Sequence, residues 1–111
     1  MTAYAIARLG DARMGPEIIA YLERIDATLR PFDGRFIVHG GPKITLEGAW
    51  LEDVVVIAFP GLEAARAWYD SPAYQAILPL RTRNVRGDTI LIEGVGSDHR
   101  ATDILMRRPH A

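Results

Sequence analysis

Hydrophobic positions along the chain switch between a spacing of two and a spacing of three to four, and the switches mark the elements. Ala3 to Leu9 is a short, mostly apolar run interrupted by Arg8, which predicts a first strand. Gly15-Pro16 opens a helix, since proline at the first helical position gives up an N–H that would be unpaired there anyway. Ile18, Leu22, Ile25 and Leu29 follow at spacings of four, three and four, one stripe of a helix, with Glu17, Glu23, Arg24 and Asp26 largely off it. Arg30-Pro31 ends the helix, because a residue before proline is pushed out of α geometry. Asp33-Gly34 then turns the chain into a second strand, Arg35 to His39. Gly40-Gly41-Pro42 predicts a bend or bulge, after which Ile44 to Glu47 is expected to continue the ribbon and Gly48 to Asp53 to make the return.

Val54 to Phe59 is a continuous apolar run rich in β-branched residues, as expected of a central strand buried on both faces, and Pro60-Gly61 ends it. Leu62 to Asp70 predicts a helix with Leu62, Ala65, Trp68 and Tyr69 on one side. Ser71 is placed to cap a further helix whose first residue is Pro72, and Pro79 should limit or kink it. After the Gly87-Asp88 turn, Thr89 to Glu93 reads as the last strand. The order βαββαβ implies an α+β fold, a four-stranded antiparallel sheet of ferredoxin-like topology, formed as a single domain over residues 1–94. Residues 95–111 form a tail, introduced by Gly94, Gly96, Ser97 and Asp98, that is either disordered or packed on a partner subunit.

Strand parity carries the reading further. On the first strand Ala3, Ala5, Ala7 and Leu9 share one face, and Tyr4, Ile6 and Arg8 the other. On the second, Phe36 and Val38 oppose Arg35, Ile37 and His39; on the last, Ile90 and Ile92 oppose Thr89, Leu91 and Glu93. One face is thus small and apolar, suited to helix packing. The other is expected to mix Ile6, Ile37 and Leu91 with Tyr4, Arg8, Arg35, His39 and Glu93. Two helical segments cover only one side of such a sheet, and a large apolar patch on the second side is seldom left bare. A homodimer packed sheet to sheet is the expected partner arrangement.

Composition narrows the function classes. Hydrophobic residues make up 49% and charged residues 24%, which suits a globular domain with one core. Thirteen basic against fourteen acidic residues lack the excess that phosphate neutralisation demands, so no nucleic-acid partner is expected. Cysteine is absent, which removes thiolate chemistry and cysteine metal motifs. No stretch approaches the apolar length of a membrane span, and Met1 to Gly10 lacks the features of a signal peptide, so no membrane and a cytoplasmic location are expected.

The segments Arg35-Phe36-Ile37-Val38-His39-Gly40-Gly41-Pro42, Leu46-Glu47-Gly48, Phe59-Pro60 and Ala64 to Tyr74 resemble, in this order, the uncharacterised family DUF1330. The resemblance spans roughly Ala3 to Gly94. That family is similar to the dimeric α/β-barrel superfamily, whose members pack two ferredoxin-like sheets into one barrel, and so implies the same dimer. It implies no agreed activity: the superfamily includes cofactor-free monooxygenases, lactone isomerases and haem-degrading enzymes alongside modules without known chemistry. One departure is His39, which stands where the family typically has arginine before the Gly-Gly pair.

The candidate chemistry gathers on the mixed face. His39 would be the catalytic proton-transfer group near neutral pH, with Arg8 and Arg35 holding an anion and Tyr4, Glu93 and Tyr74 completing the ligand-binding set. The alternative is that Arg8 and Glu93 pair across neighbouring strands while His39 caps a bend at the dimer seam. Trp68 is expected in the core. Arg81, Arg83 and Arg86 are either an anion-binding patch or a solvated helix end. His39, His99 and His110 are far apart in sequence, and no metal or cofactor motif is present. Two function classes stay open: a metal-free, cofactor-free enzyme acting on a small anionic or enolisable organic molecule, and a non-catalytic dimeric binding or stress-related module.

Overall fold

The computed structural model describes residues 1–106. Its elements are β1 (Ala3–Gly10), α1 (Pro16–Leu29), β2 (Arg35–His39), β3 (Asp53–Phe59), α2 (Leu62–Asp70), α3 (Pro72–Thr82) and β4 (Arg86–Glu93), with short 3-10 turns at Arg30–Phe32 and Ala101–Met106. The strands form one sheet in the order β2-β3-β1-β4, every neighbouring pair antiparallel. This is the α+β, ferredoxin-like arrangement, its second helical unit divided by Ser71. The Ser71 hydroxyl accepts the Tyr74 N–H at 3.3 Å and donates to the Trp68 carbonyl at 2.7 Å, closing one helix and opening the next.

The helices lie on the sheet face carrying Ala5, Ile57 and Phe59, where Tyr21, Ile25, Leu29, Ala65, Trp68, Tyr74 and Ile77 complete the core. Each large side chain buried there contributes about 1.5–3 kcal/mol. Trp68 is among them, its indole N–H donating to the Thr28 hydroxyl at 3.0 Å, which in turn donates to the Ile25 carbonyl at 2.7 Å. Gly34 is fixed by close approach: a Cβ there would lie 2.6 Å from the Phe59 ring and 2.9 Å from Leu29.

The other face is covered by no element among the described residues. Ile37, Val38, Ile90 and Ile92 are all 39% exposed or more, and Val54 and Val56 of the central strand are only half-buried. The expectation that β3 is buried on both sides therefore fails in the single chain.

Four local expectations are also corrected. On α1, Leu22 is exposed and Tyr21 takes its place on the buried stripe with Ile18, Ile25, Thr28 and Leu29. Residues 40–52 form no continuation of the ribbon; Gly40, Gly41 and Gly48 adopt positive φ of 67°, 92° and 74°, and Pro42 has no N–H to give a ladder. Helix α3 runs through Pro79 to Thr82, so the proline does not limit it. Finally, β2 carries a bulge: Phe36 pairs with Ile57 and Val38 with Val56, leaving Ile37 as the extra residue.

Candidate functional site

Small side chains on one strand leave room under the helices. Ala5 and Ala7 of β1 face α1 and α3 across a cavity of about 430 Å³, within the about 300–1,000 Å³ range of small-molecule sites. Val55 and Ile57 extend its floor, and Ile18, Ile25 and Trp68 supply much of its apolar wall. Polar groups are few and fall into two sets.

The inner set is Tyr21, Tyr74 and Arg81. The two phenol oxygens are 2.8 Å apart, and an Arg81 N–H reaches the Tyr74 oxygen at 3.5 Å. The Arg81 guanidinium carbon sits 5.9 Å from the Tyr21 ring centroid, on its face. Tyr21 and Tyr74 are 7% and 2% exposed. Burial, with the adjacent Tyr74 adding to it, pushes the Tyr21 phenol well above its ordinary range, so it stays protonated. The outer set, at the mouth, includes His39, Asp11, Asp53 and Thr89, with the backbone of Gly40. The His39 ring stacks on Phe36, centroids 4.3 Å apart and planes 11° from parallel.

The residues named from sequence do not share one face. The Ile37 bulge brings His39 opposite Val55 and turns it to the helix side, where it lines the cavity mouth rather than the mixed face. Glu93 pairs with Ala3 and Leu91 with Ala5, so both also belong to the helix side; the large apolar residues of β4 on the open face are Ile90 and Ile92. Tyr4, Arg8 and Arg35 stay on the open face. Arg8 pairs there with Glu52 at 2.9 Å, not with Glu93, and its guanidinium carbon lies 4.9 Å from the Trp50 ring centroid. The structure thus joins His39 and Tyr74 along one cavity and separates them from Tyr4, Arg8, Arg35 and Glu93.

The arginines grouped from sequence also part company. Arg83 is paired with Glu17, and Arg86 with Asp11 at 2.9 Å, whereas Arg81 lines the cavity. Sequence reasoning missed Tyr21 and undervalued Arg81. For Tyr21 the signal was present: it stands three residues after Ile18 and four before Ile25, on the same helical stripe. Among the described residues no three His, Cys, Asp or Glu side chains gather to hold a metal ion, and no helix is long and apolar enough to cross a membrane. His99 lies 3.7 Å from Asp103 in the tail, and His110 lies outside the described residues.

Fold and cavity together define an α+β protein of ferredoxin-like topology with a cleft between its sheet and helices. Residues 2–95 match the domain of unknown function DUF1330, and the chain belongs to that family. No curated protein matches it. Among solved structures, a protein of unknown function from Rhodopseudomonas palustris aligns with a TM-score of 0.66 at 16% identity, covering 86% of this chain and 83% of its own. A dimeric ferredoxin-like protein of unknown function from Jannaschia sp. CCS1 aligns at 0.58 and 12% identity, covering 85% of this chain and 100% of its own. SnoaB, a cofactor-independent oxygenase from Streptomyces nogalater, aligns at 0.58 and 13% identity, covering 89% and 98%. At such identities the likeness is one of fold.

Proposed function

We propose that the protein acts, as a cytoplasmic homodimer, on a small and largely apolar organic molecule with an anionic or enolisable group, bound in the cavity between sheet and helices. The observation that carries this reading is the cavity itself: the alanines of β1 keep open a space that an ordinary core would fill. His39 at its mouth is the proton-transfer group, free to meet both a ligand and solvent. The dimer forms by pairing the open sheet faces, which hides Ile37, Val38, Ile90 and Ile92. Proteins of this fold described as dimeric, and one described as a cofactor-independent oxygenase, support the reading by analogy.

The test is a thermal-shift screen of small aromatic and enolisable acids, followed by NMR of α-proton exchange with deuterated water for each acid that binds. Exchange should depend on protein and slow in His39→Ala, with the melting temperature nearly unchanged because the ring is exposed. Binding without catalysed exchange favours the second reading, a non-catalytic dimeric binding module. That reading draws on Arg8, which is engaged by Glu52 on the open face instead of reaching the cavity. If no acid binds, the cavity is not a ligand site.

A further inference from the structure

In the inner polar set each buried oxygen has a partner, but the hydroxyl hydrogens outnumber the acceptors. Tyr21 and Tyr74 each carry one O–H, and they share one hydrogen bond at 2.8 Å. Whichever phenol donates it, the other's hydroxyl hydrogen has no acceptor among the described residues, because Arg81, the remaining partner, only donates. Arg81 itself is half-buried, and among the described residues no carboxylate comes within ion-pairing distance of it. Asp11 and Asp53 also line the cavity, but Asp11 is taken by Arg86 and neither pairs with Arg81. A spare hydroxyl proton and a guanidinium with no carboxylate partner therefore meet among the cavity's apolar walls, apart from the polar groups at its mouth. Unmet donors and a partly desolvated positive charge are costly unless an acceptor arrives.

From this we infer that Arg81 with the Tyr21–Tyr74 pair forms an oxyanion subsite, selecting ligands whose ring or apolar body ends in an ionised oxygen, such as a phenolate or enolate. The guanidinium balances the charge, and the free hydroxyl donates to the same oxygen. The aromatic wall of Trp68 and Tyr74, whose rings are 4.1 Å apart between centroids, suits a planar body behind that oxygen. The inference rests on the cavity being the ligand site, and it places the anion on Arg81 rather than on Arg8 or Arg35. Binding would lower the pKa of the ligand's hydroxyl, its proton passing to solvent.

The probe is 4-nitrophenol, which ionises near neutrality and whose phenolate absorbs in the visible; naphthalene serves as an apolar control for the cavity. In the intact protein the bound nitrophenol should titrate about one pH unit or more below the free compound, the mark of about tenfold tighter phenolate binding. Arg81→Met should abolish that shift, Arg81→Lys should keep part of it, and Tyr74→Phe should reduce it while preserving the ring. Arg66→Gln, which removes the same charge from an exposed pair with Asp70, should leave the shift intact. Nitrophenol bound with an unshifted pKa, or a shift that survives in a folded Arg81→Met, overturns the subsite while leaving the cavity reading standing. Failure of both nitrophenol and naphthalene to bind overturns the cavity reading and the subsite with it.

Discussion

Filling the cavity should stabilise the fold and silence the site in one substitution. Ala7 lies on the cavity floor between Val55 on one neighbouring strand and Thr89 on the other. Leucine there adds three carbons pointing into open space. At about 0.8 kcal/mol per buried CH₂, full burial contributes about 2.4 kcal/mol. Fixing the new rotamer costs about 0.5–1 kcal/mol, leaving a net gain of about 1.5 kcal/mol. For a domain of this size each kcal/mol moves the melting temperature about 4–8 °C, so Ala7→Leu should melt about 6–12 °C higher than wild type. The comparison must be made at equal protomer concentration, since an oligomer's melting point depends on it. The same variant should lose the thermal shift produced by ligands that bind wild type. A more stable, ligand-blind protein is the signature of a space held open at a cost in stability. Destabilisation by more than about 1 kcal/mol would mean that Ala7 is already tightly packed. Retained ligand binding in a stabilised variant would place the ligand elsewhere.

Ile90→Glu combined with Ile92→Glu puts charge on β4, at one edge of the open sheet face, and should convert the proposed dimer to monomers; light scattering that still returns a dimer mass would refute pairing through this face. Gly34→Ala drives a methyl against Phe59 and Leu29 and should cost about 1–3 kcal/mol in chemical denaturation, whereas a neutral result would show that the two side chains yield freely. Hydrogen bonds from Arg83 and then Asn84 hold the Glu17 carboxyl below its ordinary value of 4.5, and one from Arg8 does the same for Glu52. A carboxyl whose pKa falls on folding contributes stability above its unfolded value and loses it as pH drops through the folded one. Melting temperature followed from about pH 6 to about pH 3 should therefore decline less steeply in Glu17→Gln/Glu52→Gln than in wild type, and matching slopes would refute the linkage.

The fold was legible because its signals are local and mutually consistent. Pro16 and Pro72 stand at helix starts, Ser71 is a cap between helices, and the apolar run of β3 ends at Pro60. The order of elements then leaves few ways to arrange a sheet. In the loop at residues 40–52 the β-branched and leucine residues look like strand, yet glycines at positive φ break the ladder. Ile44, Leu46 and Leu51 are each more than 85% exposed, so their apolar character answers to something other than the chain's own core.

The site was less legible because face assignment accumulates errors that periodicity cannot see. Alternation along β2 places Arg35 and His39 together, yet one extra residue at Ile37 reverses everything after it. Bulges are visible only in the pairing, since Phe36-Ile37-Val38 is an unremarkable strand sequence. Relative phase between strands is equally hidden: alternation separates Ile90 and Ile92 from Leu91 and Glu93 but does not say which pair joins Tyr4, a matter the register of Tyr4 with Ile92 decides. The consequence is a division of labour within one sheet. Arg8, Arg35 and Tyr4 flank the apolar face that a second copy would cover, while His39 is carried by the bulge to the cavity that Ala5 and Ala7 leave open. Were the bulge absent, His39 would fall among the open-face residues, and the cavity mouth would lose its titratable imidazole.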